Sequence, residues 1–153
     1  FMKIGYTGEA LAMQKFGLPI AFESFNVQCK NQALHDEEIK QGTFKGYCRD
    51  CFVPNEYDSP MAEAAFNAGK NALNSGNYDL VIFDELNVAM NMKLISPQIV
   101  VDALKNKPVY TEVVLTGRNA PQEILDGADY ITIMGLKKHP YMKKIYARKG
   151  IEF

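Results

Sequence analysis

Two polar clusters stand directly after apolar runs: Asp84-Glu85-Leu86-Asn87 closes the stretch DLVIFDELN, and Thr116-Gly117-Arg118-Asn119 closes TEVVLTGRN. Adjacent carboxylates are hard oxygen donors suited to a divalent cation such as magnesium, which keeps several waters and takes one or two protein carboxylates together with substrate phosphates. A guanidinium presents a fork of N–H donors that matches phosphate oxygens. Both readings have plainer rivals. Carboxylates also cap the helices that follow strands, and most arginines are solvated or weakly paired. A third cluster, Cys48-Arg49-Asp50-Cys51, offers two thiols that Cys29 and His35 would complete into a four-ligand zinc site. Its alternatives are free thiols in a loop or a redox-sensitive pair. His139, ahead of Pro140 in a turn, reads as structural rather than as an acid or base.

The elements that must position these clusters follow from periodicity. Residues 79 to 85, DLVIFDE, form a continuous apolar run of strand length, the mark of a strand covered on both faces. TEVVLTGR (111 to 118) and DYITIM (129 to 134) repeat the pattern. Ser59-Pro60 supplies an N-cap and first-turn proline for a helix that Gly76 ends, with Met61, Ala65, Phe66, Ala68, Ala72 and Leu73 on one face. Ser96-Pro97 starts a second helix that Lys107-Pro108 ends, and APQEILDGA is a short third one. GEALAMQKFG has helical spacing up to Gly17, and LPIAFESF is suited to a strand. Strands alternating with helices predict a doubly wound α/β sheet with right-handed crossovers, in which ligands bind beyond the carboxyl ends of the strands. Both polar clusters sit at such ends. Residues 26 to 58 break the pattern and are read as a long functional loop or insertion within a single domain spanning 1 to 153.

Composition narrows the function classes. The chain has 153 residues and a net charge of −1, so it lacks the basic surface by which nucleic-acid domains neutralise phosphates. No stretch reaches the roughly 18 apolar residues of a membrane span. Three cysteines make no disulfide framework, which fits a reducing compartment, and the expectation is a soluble cytoplasmic protein. An aromatic-rich end, KKHPYMKKIYARKGIEF, is unlike a disordered tail and is expected to be docked.

DLVIFDELN, VVLTGRNAPQEILDGADYITIM and KKHPYMKKIYARKGIEF, in this order, resemble the P-loop corrinoid adenosyltransferases, enzymes acting on cob(I)alamin or cob(I)yrinic acid a,c-diamide. The likeness is close over residues 78 to 153, and FMKIGYTGE is similar to the family's second strand and the start of its next helix. The resemblance implies a RecA-like P-loop NTPase fold, a mostly parallel sheet flanked by helices. It also implies transfer of the 5′-deoxyadenosyl group of ATP to cobalt(I), with release of triphosphate. In that frame Asp84 and Glu85 are the metal residues for Mg2+ or Mn2+, Glu85 and Arg118 the catalytic pair, and Asn87, Thr116, Gly117, Arg118, Lys138 and Phe52 the residues binding ATP or corrinoid. A reduced flavoprotein as electron donor, a homodimer and a terminal segment folded back over the nucleotide side are implied likewise.

Two departures from the family pattern stand out. The phosphate-cradling GxxxxGK[ST] loop is not in these residues. The resemblance places it on a strand lying between DLVIFDE and VVLTGR, so the chain is expected to lack an N-terminal strand, loop and helix of about 25 to 35 residues. Second, the region from Cys29 to Tyr57 replaces the family's aromatic corrinoid-facing segment with GTFKGYCRDCFVPNEYDS, where Phe44, Tyr47 and Phe52 are candidates for that role and the segment as a whole for a ligand-responsive loop. Two rival functions stay open: another P-loop ATP-dependent enzyme, or a corrinoid- or nucleotide-binding module without catalysis.

Overall fold

A computed structural model describes residues 12–13, 15–17, 19–25, 31–43 and 58–145. They fall into two compact units, the first holding Ser24, Phe25 and residues 58 to 131, the second holding the remainder. No helix among the described residues is long and apolar enough to cross a membrane.

In the second unit α1 spans Gln32–Lys40. It lies inside the region expected to be a loop. Its sequence QALHDEEIK is rich in helix formers but carries no clear apolar stripe, and Leu34 and Ile39 are both exposed, so periodicity gives no sign of it. Residues 20 to 25, expected as a strand, adopt no regular structure, and Ile20 and Phe22 are exposed. An apolar run becomes a strand only with a ladder partner, and none is present among the described residues.

The first unit contains the sheet and the core. Helix α2 (Asp58–Asn74) buries Ala62, Ala65, Phe66 and Leu73 against β1 (Leu80–Phe83). It ends as expected: Ser75 bonds back to Ala72 O, and Gly76 takes φ +73°, open to a residue without Cβ. Its start differs, because Asp58 is already helical and the Ser59 hydroxyl donates to Leu94 O at 3.2 Å instead of capping. After β1 come α3 (Leu86–Asn91) and α4 (Pro97–Lys105), the latter beginning at Ser96-Pro97 as the sequence signals. Strand β2 (Glu112–Leu115) and α5 (Gln122–Asp126) follow, α5 packing on α4.

β1 and β2 pair directly and in parallel, with Leu80 opposite Glu112 and Phe83 opposite Leu115. This corrects one expectation: two strands sharing a hydrogen-bonded ladder leave no room for a third between them. Burial along β1 alternates as well. Val81 and Phe83 are covered by the core that includes Leu86, Met90, Val100 and Ile124, whereas Leu80 is 48% and Ile82 57% exposed. Coverage of both faces, read from the unbroken apolar run, therefore holds for one face only. A continuous LVIF is equally apolar on both sides and cannot say which face has a partner. DYITIM, expected as a further buried strand, is irregular among the described residues, with Tyr130 94% and Ile133 89% exposed. Its apolar residues carry strand propensity, but among the described residues no neighbouring ladder receives its backbone groups.

Gly69 lies in the middle of α2, where Ala would ordinarily improve helix propensity by about 1 kcal/mol. A Cβ there would overlap Cε1 of Phe83 and come within 2.9 Å of Cζ. The ring is held: Phe83 is buried and packs on Phe66 at a centroid separation of 5.8 Å. Gly69→Ala should therefore destabilise the fold by about 1–3 kcal/mol in denaturant titrations, and Phe83→Leu in the same background should return part of the loss. A stabilised Gly69→Ala variant would show that α2 does not approach β1 this closely.

Candidate functional site

The register sets the site. With Phe83 opposite Leu115, the next residues, Asp84 and Thr116, are brought side by side at the carboxyl ends of β1 and β2. The Thr116 N–H donates to Phe83 O at 3.1 Å, carrying the ladder one step beyond the strands. The Thr116 hydroxyl donates to Asp84 Oδ1 at 2.8 Å and accepts the Glu85 N–H at 2.9 Å. One short side chain from β2 thus engages both acidic residues after β1.

The backbone turns sharply here. Glu85 has φ +61°, a left-handed conformation that costs a side-chain-bearing residue roughly 1–2 kcal/mol. It occupies the N-cap position of α3, yet its side chain makes no capping bond. This weighs against helix capping as the reason for the carboxylate at that position. The Asn87 N–H donates to Thr116 O at 3.1 Å, tying the first turn of α3 to the end of β2. Gly117 follows with φ +119°; a Cβ on it would stand 3.1 Å from both Asn87 Cβ and Val88 N. Glycine is needed there for its dihedral and for the close approach of α3.

Of the residues singled out from sequence, Asp84, Glu85, Asn87, Thr116 and Gly117 are brought together at these strand ends. Asp84 is exposed and Glu85 half-buried. Asn87 is 7% exposed, and its Oδ1 is buried without a hydrogen-bond partner. Arg118, next in the chain, is exposed, as is Asn119, which takes φ +57°.

Lys138 belongs to the second unit, where it is exposed. Beside it His139 has a local structural role, its Nδ1 accepting the Tyr141 N–H at 3.1 Å ahead of a 3-10 turn over Pro140–Lys143. Tyr141 and Ile145, expected to be docked, are 70% and 46% exposed, while Tyr146, Ile151 and Phe153 lie outside the described residues. Phe44, Tyr47, Phe52, Tyr57 and the three cysteines also lie outside them. Of the zinc set only His35 is described, and its Nδ1 is 3.1 Å from Glu38 Oε2.

The donor set fits magnesium in one specific way. Among the described residues no three His, Cys, Asp or Glu side chains come together to form an all-protein metal cage. Two consecutive carboxylates at a strand end suit a cation that completes its octahedron with water and substrate phosphates. Sequence reasoning named Thr116 only as a ligand-binding residue and missed its bonds to Asp84 and Glu85, because nothing in the sequence states that the two runs are adjacent or in which register.

A family model described as ATP:corrinoid adenosyltransferase BtuR/CobO/CobP matches residues 1–153. A corrinoid adenosyltransferase of a Sinorhizobium species is 41% identical over 97 residues, 63% of this chain and 45% of the relative. One from Pseudomonas aeruginosa is 35% identical over 96 residues, 63% and 47% of the two chains. Corrinoid adenosyltransferase CobA of Salmonella typhimurium is 30% identical over 98 residues, 64% and 50%. The chain spans about half the length of the curated relatives it matches. With the family model matched across all 153 residues, the chain belongs to the ATP:corrinoid adenosyltransferase family of BtuR, CobO and CobP.

Proposed function

We propose that the protein transfers the 5′-deoxyadenosyl group of ATP to the cobalt(I) of a corrinoid and releases triphosphate, on a RecA-like P-loop fold. The observation that carries this reading is the convergence, through Thr116, of an Asp-Glu strand end and a Thr-Gly-Arg strand end on two adjacent parallel strands. In a parallel α/β sheet that is where a nucleotide binds. Family membership supplies the two substrates.

Cobalt(I) is the nucleophile and the triphosphate the leaving group, so the bond made is cobalt to C5′ and the bond broken is C5′ to oxygen. The reduced corrinoid brings both electrons of the new bond, and the chain need supply no general base. Its task is to hold C5′ in line with cobalt, to stabilise negative charge on the departing oxygen and to exclude water. Asp84 and Glu85 would hold the magnesium. When bound, that ion neutralises phosphate charge. Arg118 would add positive charge from its side chain, and Asn87 Oδ1 would accept a hydrogen bond from the bound nucleotide or a water beside it; on sequence grounds alone, Lys138 is assigned to phosphate charge. On sequence grounds alone, Phe52 is assigned to the corrinoid. We further assign the protein to the cytoplasm, as a single-domain homodimer whose corrinoid substrate receives its electrons from a reduced flavoprotein.

Glu85→Gln removes charge and almost no volume from a half-buried, already folded turn. In the full-length protein it should lower adenosyl transfer at limiting magnesium by about 100-fold or more, while far-UV circular dichroism is unchanged. An unaltered rate under those conditions contradicts the assignment. Phe52→Ala should raise the corrinoid concentration needed for half-maximal rate while leaving ATP affinity within a factor of about 2; equal losses for both substrates would remove Phe52 from the corrinoid side.

A further inference from the structure

We propose that the Asn87 carboxamide accepts a hydrogen bond from a water held by the bound cation, and that the fold gives up stability to keep this group in place. The proposal rests on the magnesium-ATP reading of the strand ends and narrows it. Asn87 is the second residue of α3, among neighbours that are apolar and covered: Leu86 and Ala89 are fully buried and Met90 is 3% exposed. Its own exposure is 7%, and its Oδ1 is buried with no hydrogen-bond partner. A carbonyl oxygen so placed has lost its bonds to water and gained none in return. Packing alone is better served by leucine, which has a similar volume and no polar atom.

The base of this side chain is fixed from β2. The Asn87 N–H donates to Thr116 O at 3.1 Å, and its Cβ lies 3.1 Å from where a Cβ on Gly117 would stand. The side chain therefore leaves α3 at the Thr116-Gly117 turn, the same turn whose hydroxyl bonds to the Asp84 side chain and the Glu85 amide. Rotation about its own bonds remains, and the terminal amide torsion of asparagine is broad, so the carboxamide can turn toward a ligand while the backbone stays where it is. An amide oxygen accepts and needs a proton from its partner. The phosphate oxygens of a metal-bound triphosphate bring none. Magnesium keeps several waters, and these are the proton donors that the reading sets beside two carboxylates. Acceptors behind such ligands tune metal affinity without touching the metal.

The test compares full-length wild type with Asn87→Leu, Asn87→Asp and Glu85→Gln by three measurements: the thermal midpoint without ATP or cation, ATP affinity without cation by calorimetry, and Mn2+ affinity with ATP present by electron paramagnetic resonance. Asn87→Leu should raise the midpoint by about 2–4 °C, bind Mn2+ about 10-fold more weakly, and keep its metal-free ATP affinity within a factor of about 2. Asn87→Asp keeps an acceptor at the same place and should hold Mn2+ within about threefold of wild type or more tightly. A lowered midpoint in Asn87→Leu, or its failure to fold together with Asn87→Ala, shows that the carboxamide serves the fold and overturns the proposal. Loss of metal-free ATP affinity equal to the Mn2+ loss puts the donor on the nucleotide and overturns it too, as does an Asn87→Asp variant as weak as Asn87→Leu. Wild-type Mn2+ affinity in Asn87→Leu with Glu85→Gln impaired overturns this inference and leaves the magnesium-ATP reading standing; unimpaired Mn2+ binding in both overturns both.

Discussion

Everything proposed for this protein depends on the parallel register that sets Phe83 opposite Leu115. A shift of one residue would turn Val81 and Phe83 out of the core and move Asp84 away from Thr116. The register is held from the covered side, where Phe66 and Leu73 of α2 pack over Val81 and Phe83, and the glycine at position 69 lets the helix come down onto the ring. Packing thus decides chemistry: an apolar constraint on one face of two short strands fixes which polar side chains meet at their ends.

The strand-end turn shows a conflict resolved in favour of the site. Left-handed Glu85 after β1, and Gly117 at φ +119° and left-handed Asn119 after β2, place conformations that L-residues avoid at both strand ends. Such strain persists where surrounding bonds over-determine it. Four hydrogen bonds centred on Thr116 do so here, and the close fit of Gly117 against Asn87 and Val88 leaves little room for relaxation. The result is two acidic side chains presented from a rigid corner, with a buried, unsatisfied Asn87 Oδ1 close behind them in the chain. A cation held by two carboxylates and otherwise by substrate oxygens needs that rigidity, because the protein contributes so few of its ligands.

How far the sequence could be read follows from what each signal measures. Gly76, Ser96-Pro97 and Lys107-Pro108 mark helix ends by local backbone chemistry, and those boundaries stand within a residue or two. β1 and β2 were legible as unbroken apolar runs closing on polar clusters. Pairing was not, since LVIF and EVVL say nothing of who lies beside whom; a strand was expected between them, and they are neighbours. DYITIM and the stretch after Pro19 carry strand propensity without a ladder among the described residues, and α1 lacks the apolar stripe that would reveal a helix. At the site, the residue types were legible from their chemistry, and DELN, LTGR and KHPY together pointed to the family that the comparison shows. The part played by the Thr116 hydroxyl was not, because it exists only once two segments some thirty residues apart are in register.

Adenosyl transfer and ordinary ATP hydrolysis share a metal, a nucleotide and a strand-end site, and differ in which bond of ATP breaks. Phosphorus NMR of the full-length protein, supplied with ATP, magnesium and a chemically reduced corrinoid, reads that bond directly. The account predicts intact triphosphate in a one-to-one ratio with the adenosylated corrinoid, and no product when the corrinoid is left oxidised. Formation of ADP and phosphate, at a rate indifferent to the corrinoid, would contradict it.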